Sequence, residues 1–305
     1  MQTQRFSSIE DIGLGLTGEA LLGAFTPFIC KDASFADHLK LVLKQRRATL
    51  KRTFSGEKET DGRQAEKIKA EYQVAWSRGY EAYDLARGCR KPEPWHFRGK
   101  RMILDRAGVA RMRSVMLAAV IRQIKPRRVL EVGCGNGINL LQLAGAFPEV
   151  SFSGLELTDA GHQVATGLQK AGALPEALAG YAPETQKDPT AFRRINFVQG
   201  NAGKLPFEAK SFDLVFTVLA LEQMESLRQQ ALAEIARVSS GYFLGLEPFA
   251  EANASFWLRL HVNARGYFKG AVAELPAHGF EPVWASMDYP QELQLGSAFV
   301  LSKVR

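Results

Sequence analysis

The residues with the clearest chemical potential lie in the run Val129-Leu130-Glu131-Val132-Gly133-Cys134-Gly135-Asn136-Gly137, where an apolar segment enters a turn with glycine at every second position. Glycine tolerates positive φ and leaves the backbone bare, so a ligand can lie directly over Gly133, Gly135 and Gly137; a tight turn with no ligand would need the same residues. A dinucleotide-binding fingerprint would require glycine or alanine at position 138. Ile138 stands there, which disfavours a nicotinamide- or flavin-dependent oxidoreductase. Farther along, Glu156 closes a second apolar run, 151–155. A carboxylate at that place can accept ribose hydroxyls, or it can be an exposed acid at a strand end.

These residues need a frame. Short apolar runs at 128–132, 151–155, 195–199, 212–218 and 241–246 alternate with helical patterns at 139–146, 159–171 and 226–238, as in a parallel sheet covered on both faces. A helical stretch over 255–275 and a closing antiparallel pair at 282–287 and 297–303 complete it. The expected fold is α/β, a Rossmann-like, seven-stranded and mostly parallel sheet over residues 127–305, with a mainly helical N-terminal cap over 1–126. In the cap, Leu39, Val42, Leu43 and Leu50 fall at helical spacing, as do Ile68, Tyr72 and Ala75, and then Val109, Met112, Val115, Met116 and Ala119. The polar stretch 56–62 reads as a loop, and 90–94, with two prolines, as a break.

The glycine turn, Glu156, the stretch Asn201-Ala202-Gly203-Lys204-Leu205-Pro206-Phe207 and the strand Phe212-Asp213-Leu214-Val215-Phe216 occur in an order that resembles the class I S-adenosylmethionine-dependent methyltransferase family. The resemblance covers about residues 127–305. It implies S-adenosylmethionine as cofactor, with Gly133, Cys134, Gly135, Asn136 and Gly137 under its methionine and ribose portion, Glu131 near its amino group, and Glu156 with Leu157 at the ribose. Many family members have Asp where this chain has Asn201; an amide oxygen there can still accept from the adenine amino group, with the N–H of Ala202 on a ring nitrogen. By the same resemblance Leu219 faces the methionine end, and Glu222 is a base or acceptor anchor, unless it only begins the following helix. The cap would supply much of the acceptor pocket through its aromatic stretches at 80–83 and 95–98, which core packing would explain equally well.

The chain carries a net charge of +7, and its excess is N-terminal. Residues 1–126 hold 24 Lys and Arg against 14 Asp and Glu, and residues 127–305 hold 15 against 18. Such asymmetry suits either an anionic partner or a well-solvated helical surface. Lys40, Lys44, Arg46, Arg47, Lys51 and Arg52 form a basic segment without an acid, the one feature favouring RNA as acceptor. It lacks interleaved aromatics for base stacking. The preferred acceptor is therefore a small molecule, with an anionic one fitting the charge. A non-catalytic S-adenosylmethionine-binding scaffold would share every cofactor motif, and oligomeric state leaves no mark. No apolar run is long enough for a membrane span, and nothing marks a membrane as partner. The first ten residues do not read as a secretory signal, so a cytoplasmic location is expected. Cys30, Cys89 and Cys134 lack CxxC spacing and are expected as reduced thiols; the five histidines show no metal-ligand spacing, and no metal is expected.

Overall fold

A computed structural model describes residues 6–32, 34–54, 70–76, 80–84, 86, 88–90 and 92–305. The 56–62 stretch and Ile68 lie outside the described residues. In chain order the principal elements are α1 (Gly18–Phe25), β1 (Ile29–Asp32), α2 (Phe35–Phe54), β2 (Pro92–Phe97), β3 (Lys100–Asp105), α3 (Ala107–Ile124), β4 (Arg128–Val132), α4 (Ile138–Ala146), β5 (Ser151–Glu156), α5 (Asp159–Gln169), α6 (Glu176–Tyr181), β6 (Asn196–Gln199), β7 (Phe212–Val218), α7 (Arg228–Val238), β8 (Ser239–Glu247), α8 (Phe256–Arg265), β9 (Phe280–Ser286), β10 (Gln291–Glu292) and β11 (Ala298–Val304).

The large sheet has the order β6-β5-β4-β7-β8-β11-β9. Its first five strands run parallel, and β11 lies antiparallel between β8 and β9. Strands covered on both faces must be apolar throughout, and four of the five residues of β4 are buried. The expected seven-stranded, mostly parallel sheet and its closing antiparallel pair are both present. From β4 the chain moves outward through β5 to β6, then returns to β7 on the other side. The carboxyl ends of β4 and β7 thus flank the topological switch point, where open α/β sheets form their ligand crevice. The glycine turn follows β4, and the segment holding Leu219 and Glu222 follows β7.

The first 126 residues supply the expected helices and also a small antiparallel sheet, β1-β3-β2-β10, that the periodicity did not reveal. Pro92 and Pro94, read as a break, lie in β2, and the tight turn at Arg98 (φ 44°) and Gly99 (φ 80°) closes the β2–β3 hairpin. Two positive φ values in succession match the twist of a two-residue hairpin. Strand β10, from the far end of the chain, pairs with β2 and sets Glu292 opposite Trp95. The helical stripe on α2 is in part turned outward: Leu39 and Leu43 are exposed, as are Phe35 and Phe54 at the ends of the helix. No described helix is long and apolar enough to cross a membrane.

The cysteines depart from expectation. Cys30 and Cys89 form a disulfide, their Cα atoms 5.4 Å apart, while Cys134 is free and buried. Spacing along the chain cannot disclose this pair, because β1 and the segment before β2 are brought together only by the small sheet. Closing the 59-residue separation removes unfolded-state entropy worth about 4 kcal/mol as an upper figure. Thiol titration of the purified, denatured protein should find one reactive group before reduction and three after it, and reduction should lower the melting temperature. Three groups without reduction would return all the cysteines to thiols. Because disulfides persist in oxidising compartments, the same titration bears on the expected cytoplasmic location.

Candidate functional site

A cavity of about 900 Å³ opens at the switch point. Of the residues singled out in the sequence, Glu131, Gly133, Cys134, Gly135, Asn136, Glu156, Leu157, Asn201, Ala202, Leu219 and Glu222 all line it. Gly137 does not; a Cβ there would lie 2.7 Å from the Phe197 ring, so this glycine serves the packing of α4 on β6. Gly133 has φ 78°, and a Cβ on it would lie 2.5 Å from that of Ala220. It lets the two loops of the switch point touch. A Cβ on Gly135 would strike the ring of Trp76 at 2.6 Å, so a cap residue lies directly on the bare backbone. Tyr80 strengthens that contact by donating its hydroxyl to the Asn136 carbonyl oxygen at 2.7 Å.

Two carboxylates line the cavity beside the glycine turn. Glu131 is 1% exposed; its Oε1 accepts from Asn139 at 2.7 Å, and its Oε2 has no partner among the described residues. Burial pushes its carboxyl up to about 8. A buried, half-bonded carboxyl on a cavity wall fits a cationic donor such as the amino group of S-adenosylmethionine. Glu156 is already busy. It accepts from Gly135 N at 2.9 Å on Oε2 and from Thr158 N at 2.9 Å and Thr158 Oγ1 at 2.6 Å on Oε1. A carboxylate has about four acceptor positions, which leaves room for one ribose hydroxyl without giving up a loop contact. Asn201 likewise turns its Oδ1 onto Gly203 N at 2.8 Å, keeping one lone pair for an adenine amino group. Asn136 stands just before α4, its Oδ1 accepting from Ile138 N at 3.3 Å and its Nδ2 donating to the Tyr83 hydroxyl. Burial raises the Cys134 thiol well above its ordinary range, which makes it a packing residue.

Glu222 is 6% exposed in the short turn after β7. Its Oε1 accepts from Gln223 at 2.8 Å and its Oε2 has no partner among the described residues. Burial lifts its carboxyl to about 7, against the downward pull of Gln223 and Arg106. The turn itself hangs on Glu247, which accepts from the backbone N–H groups of Ala220 (3.0 Å), Leu221 (3.2 Å) and Glu222 (3.1 Å). Glu247 is fully buried beneath the site as a brace, and burial pushes its carboxyl up to about 8. The cap contributes Tyr72, Trp76, Trp95, Arg106 and Arg113, and β10 contributes Glu292. Among the cap aromatics only Tyr83 and Trp95 belong to the stretches the sequence offered. Arg106 and Arg113 carried no signal beyond their charge. Among the described residues no group of three or more His, Cys, Asp or Glu could hold a metal ion.

Residues 130–244 match the family described as methyltransferase domain. The chain resembles the fatty-acid O-methyltransferase of Mycolicibacterium smegmatis, with 30% identity over 143 residues, 46% of this chain and 44% of that protein. It also resembles the phthiotriol/phenolphthiotriol dimycocerosates methyltransferase of Mycobacterium tuberculosis, 32% identical over 127 residues, 41% of this chain and 37% of that protein. It thus spans less than half the length of these curated relatives. The crystal structure of the cyclase SpnF shares the fold with a TM-score of 0.52 at 15% identity, covering 79% of this chain and 96% of that one. Residues 130–244 thus form a methyltransferase domain that resembles the class I S-adenosylmethionine-dependent enzymes, and S-adenosylmethionine is the cofactor of this domain.

The buried Glu131 carboxyl carries a measurable signature. Unfolded, it ionises near 4.5; folded, it keeps its proton up to about 8. Folding therefore takes up a proton between those values, and stability is lost as pH rises through that window. Glu131→Gln should raise the melting temperature at pH 7.5 and weaken S-adenosylhomocysteine at least tenfold by calorimetry. Unchanged affinity would remove Glu131 from the cofactor site.

Proposed function

We propose that this protein transfers the methyl group of S-adenosylmethionine to a small-molecule acceptor bound between the post-β7 turn and the cap. The observation that carries this reading is the shared cavity: the cofactor residues Glu131, Gly135 and Glu156 and the acceptor-side residues Tyr72, Trp95, Arg106, Arg113 and Glu222 line one continuous space. It exceeds what the cofactor alone needs. Residues 1–126 act in this reading as an acceptor-binding cap on the 127–305 catalytic domain, because they furnish the wall opposite the glycine turn. The two curated relatives named above are described as acting on lipids, which supports a small acceptor with apolar parts. Val109, Ala110, Val218, Met224 and Leu227 supply an apolar lining to match.

The basic segment on α2 does not favour RNA in this arrangement, since none of Lys40, Lys44, Arg46, Arg47, Lys51 and Arg52 lines the cavity. S-adenosylmethionine, when bound, supplies an already activated methyl group on sulfur. The protein's own residues then have two tasks, alignment and proton removal. Alignment of nucleophile and methyl accounts for about 7 kcal/mol or more of barrier lowering in well-oriented systems. The walls contributed by Trp76, Trp95 and Met224 keep water from competing. Glu222, with a free Oε2 and a carboxyl near neutrality, takes the proton from an acceptor hydroxyl or amine, a role for which a pKa close to the working pH is best.

The test is product formation. Purified protein incubated with S-adenosylmethionine and a panel of hydroxylated and aminated small molecules should release S-adenosylhomocysteine. With the acceptor so found, the rate should rise with pH through about 7, since Glu222 works deprotonated. Glu222→Gln should lower kcat at least tenfold and flatten that profile. Cofactor binding without turnover on any class of acceptor would favour a non-catalytic scaffold instead.

A further inference from the structure

Helix α3 contains three arginines in its first half or just before it, and they are treated differently. Arg111 hydrogen-bonds two carbonyl oxygens, of Tyr181 at 2.8 Å and of Ala24 at 2.9 Å. Arg106 and Arg113 do not. Arg113 makes no hydrogen bond or ion pair among the described residues, and Arg106 has only Glu93, at 4.0 Å. These two lie two helical turns apart, about 10 Å along the axis, on the face that also carries Val109 and Ala110, and all four residues line the cavity. Trp95 adds to the same wall a 4% exposed side chain whose indole N–H has no partner among the described residues.

Arg106 is exposed at the mouth of this wall, whereas Arg113 is half-buried, and a guanidinium partly withdrawn from water without an acceptor is costly to keep. Here loss of hydration pulls the Arg113 pKa below its ordinary value, and the nearby Arg106 adds to the pull. The acids around the pair are Glu93, Glu222 and Glu292, with the phenols of Tyr72 and Tyr289 beside them. Burial raises the carboxyls of Glu222 and Glu292, which weakens both as counter-ions to the two arginines. The planar donor fork of arginine matches a carboxylate.

We infer that Arg113, assisted by Arg106, is an acceptor-specificity site that binds the carboxylate of a monoanionic acceptor, while the methyl-accepting atom of the same molecule lies at Glu222. The inference rests on the methyltransferase reading and names the substrate class of that site: a carboxylic acid with an apolar body and a hydroxyl or amine nucleophile. The carboxylate replaces water lost by Arg113, and the fork fixes the acceptor's direction in the cavity. Neither arginine touches the transferred methyl group, so their contribution is to affinity and orientation.

The experiment uses the full chain saturated with S-adenosylhomocysteine and two matched pairs of probes, para-hydroxybenzoate with para-hydroxybenzamide and decanoate with decanamide. Calorimetry should show the acid of at least one pair binding at least tenfold tighter than its amide. Arg113→Met should abolish that preference, leave S-adenosylhomocysteine affinity within threefold, and keep or raise the melting temperature, because an unpaired charge has been removed. Arg113→Lys should retain part of the preference. A structural arginine would instead give a lower melting temperature with the preference intact. The inference is overturned by equal binding of acids and amides, by binding of neither, by a preference that survives Arg113→Met, or by inorganic phosphate outcompeting the acids. If the unmodified protein fails to bind S-adenosylhomocysteine at all, the methyltransferase reading itself falls and this inference with it. Cofactor binding without acid preference removes only the inference.

Discussion

The carboxylate of Glu247 holds the site together. Three successive backbone N–H groups, of Ala220, Leu221 and Glu222, converge on its two oxygens at the end of β8. Those bonds fix the turn after β7, and the turn presses Ala220 against Gly133 so closely that only glycine fits. Gly133 begins the loop whose Gly135 is bonded to Glu156, and Glu156 in turn holds Thr158 at the start of α5. A chain of contacts thus runs across the ends of four strands, β8, β7, β4 and β5. Because β4, β7 and β8 are adjacent in register, each link is short, and each is shielded from water. Buried carboxylates are expensive in isolation; here they are retained where several backbone donors would otherwise be left without acceptors.

Much of the α/β half was legible in the sequence because a parallel sheet covered on both faces imposes strong local signals. Strands such as Val129 to Val132 must be apolar in nearly every position, and their helices repeat with the helical period. The glycine turn was legible for a similar reason, since few residues can replace glycine where φ is positive and a second loop packs above. The N-terminal half obeys weaker local rules. Its β2–β3 hairpin contains two prolines and a polar edge, and β2 finds one of its neighbours, β10, some two hundred residues later in the chain. Contacts of that kind leave no periodicity. The disulfide between Cys30 and Cys89 is hidden for the same reason.

Residue roles divide along the same line. Glu131, Glu156 and Glu222 could be singled out because each follows a recognisable strand. Their partners could not: Asn139 on Glu131, Gln223 on Glu222 and Thr158 on Glu156 are ordinary polar residues whose importance appears only when the space around them is known. Arg106 and Arg113 show the limit most clearly. In the sequence they are two of 39 cations; in space they share one wall of the cavity, Arg106 just before α3 and Arg113 within it. Gly137 is a motif glycine with a further constraint that the sequence did not show, the ring of Phe197 lying where a Cβ would be.

Trp76 lies on the backbone of Gly135 and at the same time lines the cavity, with Tyr72 near it at a centroid distance of 5.8 Å. In the proposed function one side chain therefore belongs to both ligands' surroundings. A lineage that altered acceptor choice by changing position 76 would disturb the cofactor turn in the same step, whereas changes at Val109, Ala110 or Glu292 would leave that turn untouched. The routes open to diversification are thereby unequal: new acceptors are reached most readily through α3 and β10, and the aromatic segment before Tyr80 is held back by its second obligation.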